Sequence, residues 1–235
     1  MRTGLILGFL IAMSIPGVYA DSITVNSSAA VTFLSSDLTS TDFPSPFTAA
    51  NFMAAQTGPS AALLSSTPFY LGSLSSAPAA KWIGVDATAG TTTADTALYA
   101  VSFDIPDPFS SGSLTLFYAV DNELGGTNAG IYLNGNALPN STGIGGFTSQ
   151  NTYTSASIGA DLVQGTNWLY FDAVNLGLEA GLIFSADIST VNSTAAPEPA
   201  SVLLFAAALI AVGTVSRRRS HRNGLAYPNF PLPLR

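Results

Sequence analysis

The stretch Ile131-Tyr132-Leu133-Asn134-Gly135 contains the strongest local indication of the fold. Its first three residues suit a strand, and the Asn-Gly pair after them suits the tight turn of a hairpin, because both turn residues tolerate positive φ. A second turn signal, residues 164–167, stands before Trp168. The sequence around Asn134 therefore predicts a β-hairpin.

Short runs rich in β-branched and aromatic residues surround this hairpin from Lys81 onward, separated by Gly, Pro, Asn and Asp turns. The predicted strands are residues 98–103, 113–120, 130–133, 168–174 and 181–188. Five such runs without helical periodicity between them are typical of an antiparallel β-sandwich. We therefore expect a mainly β, jelly-roll-like domain with one or two short helices.

One of these helices is predicted in the Ser-, Thr- and Ala-rich region that precedes the strands. Ser45 suits the cap, Pro46 the first helical position and Gly58 the position past the end, which outlines a helix over residues 47–56. We expect it to lie on the surface and to support the sheet.

The first 20 residues have the three parts of a secretory signal peptide. Arg2 is followed by the apolar run 5–15, a break at Pro16-Gly17, and small residues that place cleavage after Ala20. The alternative is an N-terminal membrane anchor, although the apolar run is short for a membrane span. The leader predicts export from the cytoplasm.

A second apolar segment lies near the C-terminus. Residues 200–216 carry no charge and are followed at once by Arg217, Arg218 and Arg219. The length suits a transmembrane helix, and the positive-inside bias places the arginines in the cytoplasm, which gives a type I orientation. The alternative is a buried core helix, which seldom combines an apolar surface all round with an arginine cluster.

Pro197, Glu198 and Pro199 stand directly before this apolar segment. Two prolines so close together resist both helix and sheet, so this linker should stay extended and accessible to a processing enzyme. The tripeptide alone is weak, but its combination with the apolar helix and Arg217 to Arg219 is specific.

This C-terminal combination, together with the leader, resembles the PEP-CTERM family of exported bacterial proteins. The resemblance implies recognition of Pro197, Glu198, Pro199 and the arginines by an exosortase in a Gram-negative bacterium that makes exopolysaccharide. It also implies transient anchoring in the inner membrane, and then a place at the cell surface or in a biofilm matrix. The chain departs from the family pattern in residues 220–235, which extend beyond the arginines.

These signals divide the chain into six parts. They are a signal peptide (1–20), an N-terminal part of the ectodomain with the short helix (21–80), the β-sandwich region (81–190), a linker (191–199), a transmembrane helix (200–216) and a basic cytoplasmic tail (217–235).

Charge and composition exclude several functions for the exported domain. Thirteen of the 14 acidic residues fall between residues 21 and 196, together with only one of the seven basic residues, Lys81. Such an anionic domain repels nucleic acid. The chain has no Cys, and its one His, His221, lies in the tail, so thiol chemistry and a Ser-His-Asp triad are excluded for the domain.

Glycoside hydrolysis is catalysed by paired carboxylates. Asp121 with Glu123, and Asp104 with Asp107, supply such pairs. Acids at this spacing in turn-rich sequence are more often solvated loop residues. We therefore expect no enzymatic activity, and no catalytic residue is assigned.

Residues 80–190 also resemble the galactose-binding-like jelly roll, on the series from Trp82-Ile83 through Ile131 to Gly135 and Asn167 to Asn175. Carbohydrate-binding modules, lectin-like domains and structural appendages share that fold, so it does not fix a function. A sugar site would combine aromatic faces with hydrogen-bonding side chains. The candidates are Trp82, Asp121, Asn122, Tyr132, Asn134 and Trp168. For the aromatic residues the alternative is core packing, and for the asparagines it is turn conformation.

A structural Ca²⁺ is the one metal that the sequence suggests. Asp121, Asn122 and Glu123 offer the oxygen ligands that Ca²⁺ prefers, although their spacing is not that of an EF-hand. Solvated turn acids are the alternative. The sequence as a whole predicts a non-enzymatic, exported surface or matrix protein, with a carbohydrate-binding module as the first alternative and a glycan-active enzyme as a distant one.

Overall fold

The computed structural model describes residues 20–36, 42–65, 69–88, 96–177 and 179–192. These residues form one compact unit. The strands are β1 (Ala20–Asn26), β2 (Thr32–Ser35), β3 (Ala62–Leu63), β4 (Ile83–Gly84), β5 (Ala97–Ile105), β6 (Phe109–Leu124), β7 (Ile131–Leu133), β8 (Asn136–Ala137), β9 (Ile144–Ser155), β10 (Gly165–Val174) and β11 (Gly181–Asn192). The helix α1 is Ala49–Thr57.

The predicted hairpin is confirmed. Strands β7 and β8 pair with Leu133 opposite Asn136, so Asn134 and Gly135 alone form the turn. Their φ angles are 51° and 85°. Positive φ at both central positions is what a two-residue hairpin turn requires, and it explains why Asn and Gly stand there.

The strands pair antiparallel throughout and curl into two layers. One layer runs β2-β5-β10, with β7 beside β10, and the other contains β6 and β11 with β9 and β1 at their outer edges. The layers join where the end of β10 pairs with the end of β6, at Ala173 with Leu124 and Val174 with Glu123. The predicted antiparallel sandwich is thus confirmed, and its two layers are continuous at one edge.

The main core lies between the two layers and follows the strand alternation. Odd-numbered positions of β5 and β10 and even-numbered positions of β6 and β11 point into it. At its centre the ring centroids of Phe171 and Phe184 are 4.3 Å apart. Both side chains are fully buried, and this contact holds the layers face to face.

Smaller apolar clusters cover the outer face of each layer. On the β5–β10 layer, which we call the helix side, Phe47 and Phe52 of the α1 region pack against Tyr132 and Tyr170. On the β6–β11 layer, which we call the loop side, the described residues of the segment 64–82 (64, 65 and 69–82) pack through their apolar side chains. Its buried members with the underlying strands are Leu74, Ala80, Trp82, Ala119 and Ile183.

The predicted helix exists, but its predicted start at residue 47 is wrong. Thr48 is the N-cap, because its side chain accepts from the Asn51 amide and the Asn51 side chain accepts in return from the Thr48 amide. This reciprocal capping box satisfies two helix-end donors, so the helix begins at Ala49 rather than after Ser45. Gly58 follows its end, as predicted.

The five predicted strands are confirmed, most of them with longer bounds, and further strands were missed. The missed strands are β1, β2, β3, β4 and β9. β9 contains two glycines and seven Ser, Thr, Asn or Gln residues, so it lacks the apolar alternation that marks a strand. β1 and β2 pair with β11 and β5, so the region before Lys81 contributes strands to the sandwich.

Most residues of the two predicted terminal signals lie outside the described ranges. Ala20 is the first residue of β1 and is exposed. Pro197, Glu198, Pro199 and the segment 200–219 lie outside the described residues. Within the described residues, no helix is long and apolar enough to cross a membrane.

The buried Tyr118 supports a stability prediction. Its hydroxyl has no hydrogen-bond partner among the described residues, and burial raises its pKa to about 12. Tyr118→Phe is therefore expected to be neutral at pH 7 or to stabilise by up to about 1 kcal/mol. Because the folded-state pKa lies above the ordinary value of about 10, wild-type stability should be fully retained below pH ~10 and fall as pH rises toward 12.

Urea unfolding of the wild type and Tyr118→Phe, from pH 7 to pH ~11, measures both effects. The variant should gain relative to wild type as pH rises. A loss above about 1 kcal/mol at pH 7 would show that the hydroxyl forms a hydrogen bond in solution.

Candidate functional site

Trp82, the first predicted sugar-binding aromatic residue, lies inside the loop-side cluster. It is 6% exposed, and its Nε1 donates to the carbonyl of Leu71 at 2.7 Å. Tyr70 lies against it with ring centroids 4.5 Å apart. In this structure Trp82 packs the segment 64–82 onto the sheet, and its ring presents little surface to a ligand.

Tyr132 and Trp168 belong to the helix side. Tyr132 is 7% exposed, and its hydroxyl accepts from the Ala129 amide at 3.1 Å. Trp168 is half-buried, packs at the edge of the same cluster and stacks on Tyr170 at 6.4 Å. Of the predicted aromatic residues, Trp168 alone keeps appreciable exposure.

Asn134 forms part of a structural network. Its Nδ2 donates to the Asp161 carbonyl and to Oδ1 of Asn167, both at 2.8 Å, and its Oδ1 accepts from the Trp168 amide at 2.8 Å. The side chain therefore fixes the hairpin turn against β10. Asn134 positions the turn, and the residue of the hairpin that is exposed beside it is Asn136.

Asp121 and Asn122 lie together, and Glu123 has a different environment. Asp121 is 7% exposed and accepts from the Tyr70 hydroxyl at 2.7 Å and from Asn122 Nδ2 at 3.2 Å. Burial raises the pKa of Asp121, the Tyr70 hydrogen bond lowers it, and the charge of Glu179 raises it. Burial and the Asp121 contact likewise raise the pKa of Tyr70 well above its ordinary range.

The Glu123 charge acts instead on Asp172 of β10. Among the described residues, no three His, Cys, Asp or Glu side chains are grouped so that they could hold a metal ion. The calcium site at Asp121, Asn122 and Glu123 stays a prediction. A ligand set there would need amide, carbonyl or water oxygens in addition to the carboxylates.

A surface depression beside α1 combines aromatic, thioether and amide groups, of which the sequence had indicated only that of Asn134. We call it the helix-edge depression; its volume is about 420 Å³. Its lining residues are Phe47, Ala49, Phe52, Met53, Gln56, Asn134, Gly135, Asn136 and Tyr170. None of these side chains is charged at neutral pH.

The depression offers a defined set of accessible groups. Met53 is 64% exposed, and Asn136 is also exposed. The Gln56 amide nitrogen donates to the Tyr170 hydroxyl, which holds that side chain in place. Below them the rings of Phe52 and Tyr170 lie 4.8 Å apart. The result is an apolar floor with amide groups at its rim.

A second cavity lies on the loop side, with a volume of about 330 Å³. It is lined by Trp82, Lys81 and small residues of the segment 64–82. Lys81 is the one basic residue between residues 21 and 196, so positive charge within that range lies beside this cavity. The Trp82 ring nitrogen is already bonded to Leu71.

Comparison with known proteins adds little to the fold class already described. No family model and no curated protein matches the chain. Among solved structures, a family 35 carbohydrate-binding module from Clostridium thermocellum is 15% identical with a TM-score of 0.37, covering 70% of this chain and 97% of that one. The CBM35 from Paenibacillus barcinonensis is 18% identical with a TM-score of 0.31, covering 73% and 99%. Likeness at this level indicates neither a ligand nor a site for this chain.

Proposed function

We propose that this chain is an exported, non-enzymatic surface or matrix protein whose β-sandwich binds neutral carbohydrate in the helix-edge depression. The observation that supports the binding activity is the composition of the depression, in which an apolar floor meets amide groups and no charge. Sugars present apolar C–H faces and hydroxyl groups on the same ring. They therefore match a surface where apolar contact and hydrogen bonding are available side by side.

Charge favours a neutral rather than an acidic glycan. The exported domain contains thirteen acidic residues and one basic residue, and Lys81 lines the other cavity. A uronic-acid polymer approaching the helix-edge depression would meet repulsion without a compensating cation. A neutral segment of an exopolysaccharide would not.

Binding to a glycan array, followed by titration of two variants, tests this proposal on residues 21–196. Asn136→Ala removes the exposed amide and Met53→Ala removes the exposed thioether. Each is expected to weaken binding of a neutral oligosaccharide about tenfold, which corresponds to the loss of one hydrogen bond or one apolar contact.

Phe69→Ala is the matched control, because Phe69 is 76% exposed and lies in the segment 64–82 on the loop side. It should bind like the wild type. Absence of binding across neutral and acidic glycans, or equal losses in all three variants, would count against the helix-edge depression as a sugar site.

The sorting part of the proposal is supported by the sequence at the two ends. The leader ending at Ala20, and Pro197-Glu198-Pro199 with the apolar segment and Arg217 to Arg219, fit export followed by recognition by an exosortase. Intact mass of the mature protein from the native host tests it. A mature surface form that still ends at Arg235 would contradict processing near the Pro-Glu-Pro sequence.

A further inference from the structure

Asp172 is an acidic side chain in an unusual position. It lies in the middle of the apolar run of β10, opposite Leu98 of β5, and is 0% exposed. Neither carboxylate oxygen has a hydrogen-bond partner among the described residues. A buried carboxylate costs free energy unless it is paired, hydrogen-bonded or bound to a metal, so this side chain requires a partner that the described residues do not supply.

The loop 125–130 is hydrogen-bonded to the backbone of β10 at Asp172. The Gly125 amide donates to the Asp172 carbonyl at 2.7 Å, and the Asp172 amide donates to the Gly130 carbonyl at 2.9 Å. A Cβ on Gly125 would lie 2.5 Å from the Gly130 amide nitrogen, so the loop closes tightly on itself. Two backbone hydrogen bonds thus join the loop to β10 at Asp172.

Asn128 of the same loop adds a second buried oxygen without a partner. It is 5% exposed, its Nδ2 donates to the Phe43 carbonyl at 3.3 Å, and its Oδ1 is unpartnered among the described residues. The preceding residue, Thr127, donates through its amide and hydroxyl to Asp42 at 2.8 and 2.9 Å. These contacts anchor the segment that contains Asp42 and Phe43 against the loop.

The two charges that act on Asp172, those of Asp42 and Glu123, are both negative. Burial, together with the neighbouring charges of Asp42 and Glu123, raises the pKa of Asp172 to about 8. The unpartnered atoms are all acceptors, namely two carboxylate oxygens and one amide oxygen. A bound cation would stabilise these oxygens, because they lie in a negative potential and accept no hydrogen bond from the described residues.

We propose that Asp172 and Asn128 are ligands of a divalent cation of the Ca²⁺ type, held between β10 and the loop 125–130 in the negative potential of Asp42 and Glu123. Ca²⁺ is coordinated by carboxylate and amide oxygens in flexible geometry, and backbone carbonyls and water complete its coordination shell. Mg²⁺ requires near-octahedral geometry. Extracellular modules bind Ca²⁺ with dissociation constants of about 10⁻⁴–10⁻³ M, which suits a protein outside the cytoplasm.

This site is different from the one predicted by sequence. Asp121 already accepts two hydrogen bonds on the loop side, whereas Asp172 and Asn128 have oxygens to which no residue of the described ranges donates. The proposal is also independent of sugar binding, because neither residue lines the helix-edge depression.

Thermal unfolding of residues 21–196 in EDTA and in about 10 mM CaCl₂ tests the proposal. At a dissociation constant near 10⁻⁴ M, the metal should raise the Tm of the wild type by about 5–10 °C. Asp172→Asn, which conserves volume, should fold in EDTA and lose this shift. Asn128→Ala should retain Asp172 and show a smaller shift than the wild type.

Asp121→Asn is the matched control, since it removes another buried carboxylate and should keep the full calcium shift. A wild-type Tm that is unchanged by CaCl₂ would overturn the proposal and leave Asp172 as a neutral buried acid. A calcium shift that persists in Asp172→Asn, or disappears in Asp121→Asn alone, would overturn it as well and place the metal elsewhere.

Discussion

Replacing Asn167 by alanine is expected to lower the free energy of unfolding by about 3–5 kcal/mol, because several buried polar groups lose their partners together. Asn167 is 0% exposed. Its Nδ2 donates to the carbonyls of Val163 and Gly165 at 2.7 and 2.9 Å, and its Oδ1 accepts from the Val163 amide and from Asn134 Nδ2 at 2.8 Å. Alanine removes all four hydrogen bonds.

Urea unfolding at pH 7 measures this loss, with Asn151→Ala as the matched control. The buried Nδ2 of Asn151 has no hydrogen-bond partner among the described residues, so its removal should cost less than about 1 kcal/mol. Similar losses for the two variants would contradict the assigned network. Because Asn167 and Asn134 share a hydrogen bond, their double variant should lose less than the sum of the two single losses.

Phe171→Ala is expected to destabilise the protein by about 3–5 kcal/mol, which is the usual cost of removing a fully buried phenylalanine ring. Phe171 is 0% exposed and contacts Phe184 across the two layers, with ring centroids 4.3 Å apart. The truncation therefore opens a cavity at the centre of the main core, where β10 faces β11.

Equilibrium denaturation compares this variant with Phe69→Ala, whose ring is 76% exposed. The exposed control should change the stability by less than about 0.5 kcal/mol. If Phe171→Ala cost as little as its control, the two layers could not pack face to face as the structure has them.

The strands that the sequence predicts are those with strong local signals. The Asn134-Gly135 turn carries its own conformational requirement, and β10 and β11 carry apolar residues at core-facing positions. β9 and β1 form through pairing with distant partners, β6 and β11. A strand that is polar and held at an edge by long-range pairing leaves little local pattern to detect.

The helix-edge depression could not be predicted because three distant parts of the chain form it. Residues 47–56, the turn 134–136 and Tyr170 meet only after the sheet has folded. Two local signals were present, namely Asn134, a candidate from the sequence, and the pair Met53 and Gln56, which are three apart and share a helix face. Trp82 and Tyr132 had the right side chains for sugar binding, but the segment 64–82 and α1 bury them.

Asp172 shows the opposite situation, in which the signal was present in the sequence. A carboxylate stands inside the run Trp168-Leu169-Tyr170-Phe171-Asp172-Ala173-Val174, in which the other residues are apolar or aromatic. An acid within a strand of this kind is buried at a cost unless something pairs with it. The interruption of that run was therefore the available indication of a special site.

The most direct test of the central claim is an NMR titration of residues 21–196 with the neutral oligosaccharide that binds best on the array. Sugar binding in the helix-edge depression predicts that the largest backbone amide shifts occur at Met53, Gln56, Gly135 and Asn136. Shifts concentrated at Gly72, Ser73 and Lys81, around the cavity on the loop side, would contradict the claim. So would a spectrum that the sugar leaves unchanged.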